Sequence, residues 1–216
     1  IVPFIPEIID ENLHVNIALG GDKKKLLDLA MQNVKQYKKD RIHQEDKLNP
    51  DQRVARILGG LQSLLGLPTL PMWIDSFDNS NTQGSNAVAG CVVFKKGKAC
   101  KSEYKKFEIK TVEGPDDYAS MREVVRRRYS RLVEEGSALP DLIIADGGLG
   151  QMSAIKEVVY GELGLDIPVA GLKKDNKHRT NTLLYGDPVQ EFGMKVTDEI
   201  FRLMVEIQDE VHRFAI

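Results

Sequence analysis

The sequence predicts an α/β fold in which three antiparallel strands are followed by parallel strands in one mixed sheet, with helices on both faces. Three strand-type segments joined by short turns occupy residues 73–78, 87–94 and 102–109, as expected for an antiparallel meander. Residues 142–146 then form a continuous apolar run ending in aspartate, which is typical of a strand buried on both faces. Helical patterns separate the later strands, and this alternation predicts parallel pairing.

The composition is that of an ordinary globular domain. The chain has 216 residues, 42% of them hydrophobic and 29% charged, which is enough to bury one good core. Its formal net charge is −2, so the chain lacks the overall excess of basic residues that is typical of a nucleic-acid-binding protein. Two cysteines are too few for a disulfide framework or a cysteine-rich zinc site. No signal peptide or membrane-spanning run is evident, so we expect a cytoplasmic protein, and the chain reads as a piece of a longer one.

Two helices are predicted ahead of the sheet. The first covers residues 22–37, with Asp22 as its N-cap, and the polar residues 38–49 are predicted to be a connection. The second begins with Pro50 in its first turn, carries apolar residues at helical spacing, and ends at Gly66.

The predicted elements divide the chain into two parts. Residues 1–70, with a strand candidate at 14–18, form a lead-in segment whose two helices pack on the main domain, residues 71–216. After its first three strands, the main domain is predicted to contain a helix at 114–135, the strand at 142–146, a helix ending near 160, strands at 167–171 and 182–185, and a last helix at 196–214. This order is that of the ribonuclease-H-like fold, in which the first and fourth strands lie side by side.

Two aspartates are a candidate metal-binding pair in this topology. Asp78 lies late in the first strand and Asp146 ends the fourth, so adjacent parallel strands would bring both carboxylates to one cation. Mg²⁺ and Mn²⁺ prefer oxygen ligands and would relieve the mutual repulsion. Such a metal can polarise a phosphoryl oxygen and stabilise a leaving oxygen. The alternative is that each aspartate only caps the turn or helix that follows its strand.

Three further charged residues have more than one possible role. Asp75, in the middle of the first strand, needs a metal or a basic partner, because burying an unpaired carboxylate costs several kcal/mol. Asp117 falls in the first turn of a helix, where it complements the helix dipole or lies near the metal and ligates or tunes it. His212, near the end of the last helix, complements the C-terminal dipole, which the helix pattern favours, or else reaches the metal or transfers a proton.

Basic residues and a glycine-rich turn offer possible contacts to phosphate. Arg127, Arg128 and Lys174 lie in basic clusters and are candidates for contacts with the DNA backbone, although each cluster alone is more typical of a solvated surface. The glycine-rich residues 147–150 would allow a phosphate to approach a helix N-terminus, but they match neither a P-loop nor a dinucleotide-binding motif.

An ordered set of motifs resembles a known family. Over roughly residues 20–216 the chain is similar to the C-terminal half of the bacterial excinuclease subunit UvrC. The motifs are FDNSNTQG at 77–84, VVF at 92–94, GPDDY at 114–118, RRY at 127–129, LIIADGG at 142–148, GQ at 150–151 and DEVHRF at 209–214.

The resemblance implies a ribonuclease-H-like endonuclease domain of nucleotide excision repair. Such a domain incises damaged double-stranded DNA on the 5′ side of the lesion, after UvrA has loaded UvrB at the damaged site. The family's catalytic triad falls on Asp78, Asp146 and His212, and a further important acidic residue falls on Asp117. The implied cation is Mg²⁺ or Mn²⁺, held by the triad. Competing hypotheses are an inactive scaffold that docks UvrB or DNA and, less favoured, an ATPase of related topology.

The chain departs from the family in details that leave the triad intact. Leu149 stands where the family often has lysine, and Asn81 stands where some members have histidine. The GIY-YIG nuclease module and the tandem helix-hairpin-helix module of the same polypeptide are not in this chain. We therefore expect the domain alone to bind DNA poorly, in agreement with its near-neutral charge.

Overall fold

A computed structural model describes residues 19–80, 88–112, 114, 116–174 and 180–215. The strand candidate at 14–18 and the last four residues of the FDNSNTQG motif, 81–84, lie outside these residues. The chain divides into two compact units, Ile1–Pro50 and Asp51–Ile216. The boundary predicted at residue 70 stays a prediction. Among the described residues, no helix combines the length and apolar character needed to cross a lipid bilayer.

The helices and strands follow one another in the order expected for an α/β domain. The helices in the described part of the chain are α1 (Gly21–Leu48), α2 (Pro50–Leu65), α3 (Asp117–Glu134), α4 (Leu149–Lys156), which continues as a π-helical turn (Glu157–Glu162), and α5 (Glu199–Ala215). The strands are β1 (Trp73–Ser80), β2 (Val88–Lys95), β3 (Lys98–Ala99), β4 (Lys105–Glu108), β5 (Leu142–Ala145), β6 (Val169–Lys174), β7 (Thr180–Tyr185) and β8 (Gln190–Gly193).

One mixed sheet forms the centre of the second unit. Its strand order is β3-β2-β1-β5-β6-β7-β8, and β4 also pairs with β2. The β1–β5 and β5–β6 pairs are parallel, whereas the β1–β2, β2–β4, β6–β7 and β7–β8 pairs are antiparallel. The predicted ribonuclease-H-like fold, with its first and fourth predicted strands side by side, is therefore confirmed.

Hydrophobic side chains cover both faces of this sheet. On one face, Ile143 of β5 joins a buried cluster with residues of α3 and α4, such as Met121 and Met152. On the other face, its neighbour Ile144 joins a cluster with residues of α2 and α5. All four residues of β5 are buried, as the apolar run predicted.

Three details differ from the prediction. Helix α1 continues to Leu48 through residues predicted to be a connection, because residues 38–48 contain neither proline nor glycine and are rich in helix-forming Lys, Glu and Gln. The predicted third strand, 102–109, is shortened to β4, because its first residues lie in a 3₁₀ turn, Lys101–Glu103, and the two-residue strand β3 before that turn was not predicted. Strand β8 was not predicted, since its largely exposed QEFG sequence lacks apolar alternation.

Candidate active site

The parallel pairing of β1 with β5 brings two carboxylates to the same edge of the sheet. Phe77 pairs with Ala145, so the next residues lie side by side, with Asp78 in the last half of β1 and Asp146 directly after β5. The backbone N–H of Asp146 donates to the carbonyl of Phe77 at 2.9 Å, which continues the ladder to this point. Both aspartates are largely buried, with 8% and 5% of their surface exposed.

Helix α5 carries His212 to this edge. Its inward face is buried through Leu203, Met204, Ile207 and Val211. His212 follows Val211 and lies on the flank of the helix, with Nδ1 3.0 Å from Oδ2 of Asp78. The imidazole side chain is 61% exposed, whereas the Asp78 side chain is 11% exposed. The histidine is therefore in contact with Asp78 and also open to solvent.

Asp78, Asp146 and His212 form a compact group of potential metal ligands. One ligand atom from each lies within 4.8 Å of the others. In addition, Oδ2 of Asp146 is buried and has no hydrogen-bond partner among the described residues. A buried carboxylate oxygen without a donor is expected to bind a cation or water. Two carboxylates with one imidazole are a ligand set that can hold one divalent cation.

The electrostatics of Asp78 reflect this crowding. Burial raises the pKa of the Asp78 carboxyl above its usual value, the contact with His212 opposes that change, and the negative charge of Asp146 adds to it. Lys174 provides a nearby positive charge, since its Nζ lies 3.5 Å from Oδ1 of Asp146. A bound cation would offset the repulsion between the two carboxylates far more strongly than a half-exposed lysine.

Two polar residues at the site were missed by the sequence analysis. The side-chain amide of Gln208 donates to Oδ1 of Asp146, and the hydroxyl of Thr180 donates to Oε1 of Gln208. Gln208 lies four residues before His212, so both project from the same side of α5. This i, i+4 spacing was the available signal, whereas an uncharged amide alone indicates no particular chemistry.

Asp117 lies beside the three-residue group and is not part of it. Asp116 is the N-cap of α3 and accepts from the backbone N–H of Ala119 at 2.8 Å, which leaves Asp117 in the first turn. The side chain of Asn79 donates to the backbone carbonyl of Asp117 at 2.7 Å. Asp117 and Gly147 line a common cleft next to the aspartate pair.

The two candidate arginines have different environments. Arg127 is partly exposed and donates to the carbonyl of Glu108 at 2.7 Å and to Glu123 at 3.0 Å. The structure does not bring Arg128 to the site surface. Its side chain is 6% exposed, and its guanidinium donates to Asp75 at 2.7 and 3.1 Å. Arg128 is thus the basic partner that the buried carboxylate of Asp75 requires, so the expectation of a DNA contact by Arg128 does not fit its position.

The solved structures that align with this chain are distant from it in sequence. Endonuclease V of Ciona intestinalis, in a complex with inosine-containing DNA, aligns with a TM-score of 0.43 and 12% identity, covering 76% of this chain and 96% of that one. Human endonuclease V aligns with a TM-score of 0.36 and 8% identity, covering 76% and 99% of the two chains.

Curated relatives are much more similar. UvrABC system protein C of Bacteroides thetaiotaomicron is 60% identical over 216 residues, which are 100% of this chain and 36% of that protein. Its counterpart in Streptococcus thermophilus is 52% identical over 199 residues, covering 91% of this chain and 32% of that protein. The chain thus spans about a third of the length of these relatives. The family model for the UvrC RNase H endonuclease domain matches residues 62–216, which confirms the resemblance, and the chain belongs to that family.

Proposed function

We propose that this chain is the metal-dependent DNA endonuclease domain of nucleotide excision repair that incises the phosphodiester backbone 5′ of a lesion in the UvrB–DNA complex. The observation that carries the proposal is the convergence of Asp78, Asp146 and His212 within 4.8 Å around a buried carboxylate oxygen that has no donor among the described residues. Membership of the UvrC endonuclease family and the name of the relatives, UvrABC system protein C, support the same assignment.

In this proposal, Asp78 and Asp146 hold Mg²⁺ or Mn²⁺, and His212 completes the site. The cation, when bound, polarises the scissile phosphate and stabilises developing charge on the leaving oxygen. The Asp146 carboxylate contributes Oδ2, which has no hydrogen-bond partner in the described part of the chain, while Asp78 contributes an oxygen and orients His212. Because the imidazole is 61% exposed, it can ligate the cation or exchange a proton with the attacking water or the leaving group.

Other side chains position the substrate. Lys174 is 42% exposed next to Asp146, so its ammonium can contact a phosphate beside the scissile one. Arg127 offers a second partly exposed cation. Asp117 lies in the adjoining cleft, where we assign it a tuning role through Asn79. Arg128 is left out of this set, because its charge is neutralised inside the protein.

The partners proposed are damaged double-stranded DNA and UvrB, with UvrA acting earlier. The formal net charge of −2 means that the domain contributes little to the salt-dependent affinity for the DNA backbone. We assign most of that affinity to UvrB and to the helix-hairpin-helix module of the same polypeptide, and the second incision to its GIY-YIG module.

The test is incision of a lesion-bearing duplex by the longer polypeptide that carries this domain, with UvrA and UvrB present. Wild type is compared with Asp146→Asn in Mn²⁺ and in EDTA. Asp166→Asn is a matched control, because Asp166 is an exposed aspartate just before β6, at the opposite edge of the sheet from the candidate site. We expect a 5′ nick that requires metal, vanishes in Asp146→Asn, and is unchanged in Asp166→Asn.

Two other outcomes would contradict the proposal. If Asp146→Asn nicks as well as wild type, Asp146 has a structural role and the assigned site is wrong. If wild type binds the UvrB–DNA complex but never nicks it, the domain is a scaffold that docks UvrB or DNA.

A further inference from the structure

We propose that Gln208 is a positioning residue for Asp146, that Thr180 holds Gln208 in the required orientation, and that together they determine which Asp146 oxygen faces the cation. The inference rests on the proposed function, since it presumes a divalent cation at Asp146. It concerns two residues outside the group of candidate ligands and assigns them a single task.

The first step is the unequal environment of the two Asp146 oxygens. Oδ1 accepts from the side-chain amide of Gln208, and the ammonium of Lys174 lies 3.5 Å from the same oxygen. Oδ2 is buried and has no partner among the described residues. The amide and the ammonium therefore both lie at one oxygen, which leaves the lone pairs of the other available to a cation.

The second step is the orientation of the amide. Gln208 is 8% exposed, so its donors and acceptor must be satisfied within the protein. The hydroxyl of Thr180, which is 5% exposed, donates to Oε1 of Gln208. With Oε1 bound in this way, the amide nitrogen is directed to Asp146. The opposite orientation would set the amide oxygen against a carboxylate oxygen, which is repulsive because both are acceptors.

The third step is the origin of these contacts in one hairpin. Thr180 begins β7 and pairs with Lys174, the last residue of β6. Lys174 acts on Asp146 directly, whereas Thr180 acts on it through Gln208. The two contacts converge on Oδ1 from the same end of the β6–β7 hairpin. Supporting hydrogen bonds of this kind orient metal ligands, and their loss commonly weakens metal binding about 10- to 100-fold.

The experiment measures Mn²⁺ affinity of the 216-residue chain from the electron paramagnetic resonance signal of free Mn²⁺, together with the melting temperature without metal. Gln208→Met removes the amide from a side chain of similar length, and Thr180→Val removes only the hydroxyl. Thr180→Ser restores that hydroxyl. Thr182→Val is a matched control on the same strand, because the Thr182 hydroxyl bonds to Asn181 and not to the site.

We expect Mn²⁺ affinity to fall about 10- to 100-fold in Gln208→Met. In Thr180→Val it should fall about 2- to 10-fold, the value of one hydrogen bond. Thr180→Ser and Thr182→Val should bind within twofold of wild type. A merely structural role would lower the melting temperature of the metal-free protein and leave the affinity unchanged, and that result would overturn the inference. If Gln208→Met does not fold, the comparison of Thr180→Val with Thr180→Ser decides the question.

Asp146→Asn separates this inference from the proposed function. If wild type binds Mn²⁺ no better than Asp146→Asn, the proposed metal site is wrong, and the positioning role of Gln208 and Thr180 is then wrong as well. If wild type binds and Asp146→Asn does not, while Gln208→Met and Thr180→Val bind within twofold of wild type, the metal site stands and the positioning role is wrong.

Discussion

The end of helix α5 lies against the sheet at Gly90, where the N, Cα and Cβ atoms of Ala215 would each be 3.2 Å from a Cβ added to the glycine. Gly90 is also the β2 residue that pairs with Asp78 on β1. His212 lies about one turn before Ala215 and contacts Asp78 at 3.0 Å. The absence of a side chain at Gly90 thus lets the helix approach closely enough for the histidine to reach the carboxylate.

Substituting Gly90→Ala should therefore affect both stability and activity. The added methyl group would meet backbone atoms of Ala215, so the helix end must move by a few tenths of an ångström. We expect the free energy of unfolding to fall by about 1–3 kcal/mol, as for other overpacked cores, measured by urea denaturation. The 5′ incision should slow as well, because His212 moves with the helix.

Gly193→Ala is the matched control for this prediction. Gly193 ends strand β8, and a Cβ built there would have no neighbour within 4 Å. We expect its stability and incision rate to match wild type. Equal behaviour of the two variants would contradict the view that the close approach at Gly90 positions His212.

Removing one partner of the buried pair of Arg128 with Asp75 should destabilise the protein strongly. Asp75 is fully buried and accepts from Arg128 and from the hydroxyl of Tyr129 at 3.0 Å. Arg128→Met leaves this carboxylate without its charged partner, so we expect a loss of about 3–5 kcal/mol in the free energy of unfolding. Arg131→Met, which breaks an exposed pair with Glu135, should cause a much smaller loss, because water screens that pair. Equal losses in the two variants would show that the buried pair has no special role.

Glu123 should make stability depend on pH in the acidic range. Burial acts to raise the pKa of Glu123, but hydrogen bonds from Thr111, the backbone of Lys110 and Arg127 outweigh it and hold the pKa below the usual value. A carboxyl whose pKa is lower in the folded state stabilises the protein above its unfolded-state pKa. That stabilisation is lost as the pH falls through the folded-state pKa.

The corresponding variant is Glu123→Gln. It should lower the free energy of unfolding at pH 7 by about 1–3 kcal/mol, because several donors lose a charged acceptor. The difference from wild type should shrink as the pH is lowered below the usual glutamate range, measured by urea denaturation at a series of pH values. Glu134→Gln, at the exposed end of α3, is the control and should show no such trend. If the difference in the free energy of unfolding between wild type and Glu123→Gln does not change with pH, the lowered pKa of Glu123 is ruled out as its cause.

Much of the fold could be predicted because burial leaves a clear pattern in the sequence. The LIIA run of β5 is apolar on both faces, and the first helices and strands of the sheet follow simple periodicities. Strand β8 left no such pattern, since it pairs at the sheet edge and only Phe192 of its four residues is apolar. Strand β8 forms because its backbone pairs with β7, and this pairing cannot be predicted from the side-chain pattern of one sequence.

In the candidate site, too, the features that follow from a sequence pattern could be predicted, whereas those that depend on tertiary contacts could not. Parallel pairing of β1 with β5 predicts that Asp78 and Asp146 meet, whereas the partner of a buried charge depends on which helix face is inward. Arg128 lies three residues after Val125 and is therefore on the inward stripe of α3, a signal that the basic run obscured. Gln208 acquires its role only through Thr180 and Asp146, which lie far from it in sequence.

Asp78 should lower the stability of the protein when no metal is bound. Its pKa is raised in the folded state, chiefly by burial, so the ionised carboxylate disfavours folding at any pH above that pKa. Asp78→Asn removes this charge, and we expect the melting temperature of the metal-free protein to rise at pH 7. A gain of about 1 kcal/mol would give about 2–4 °C in a chain of this size, and it should fade as the pH falls through the folded-state pKa.

With Mn²⁺ present, wild type should have a higher melting temperature than Asp78→Asn, the reverse of the order without metal. A ligand that binds only the folded state raises its stability, so Mn²⁺ should raise the melting temperature of wild type and leave that of Asp78→Asn unchanged. Asp166→Asn controls for the loss of one exposed negative charge and should follow wild type with and without metal. If Asp78→Asn is less stable than wild type without metal, the hydrogen bond to His212 outweighs burial. The charge at Asp78 would then support the fold as well as the proposed site.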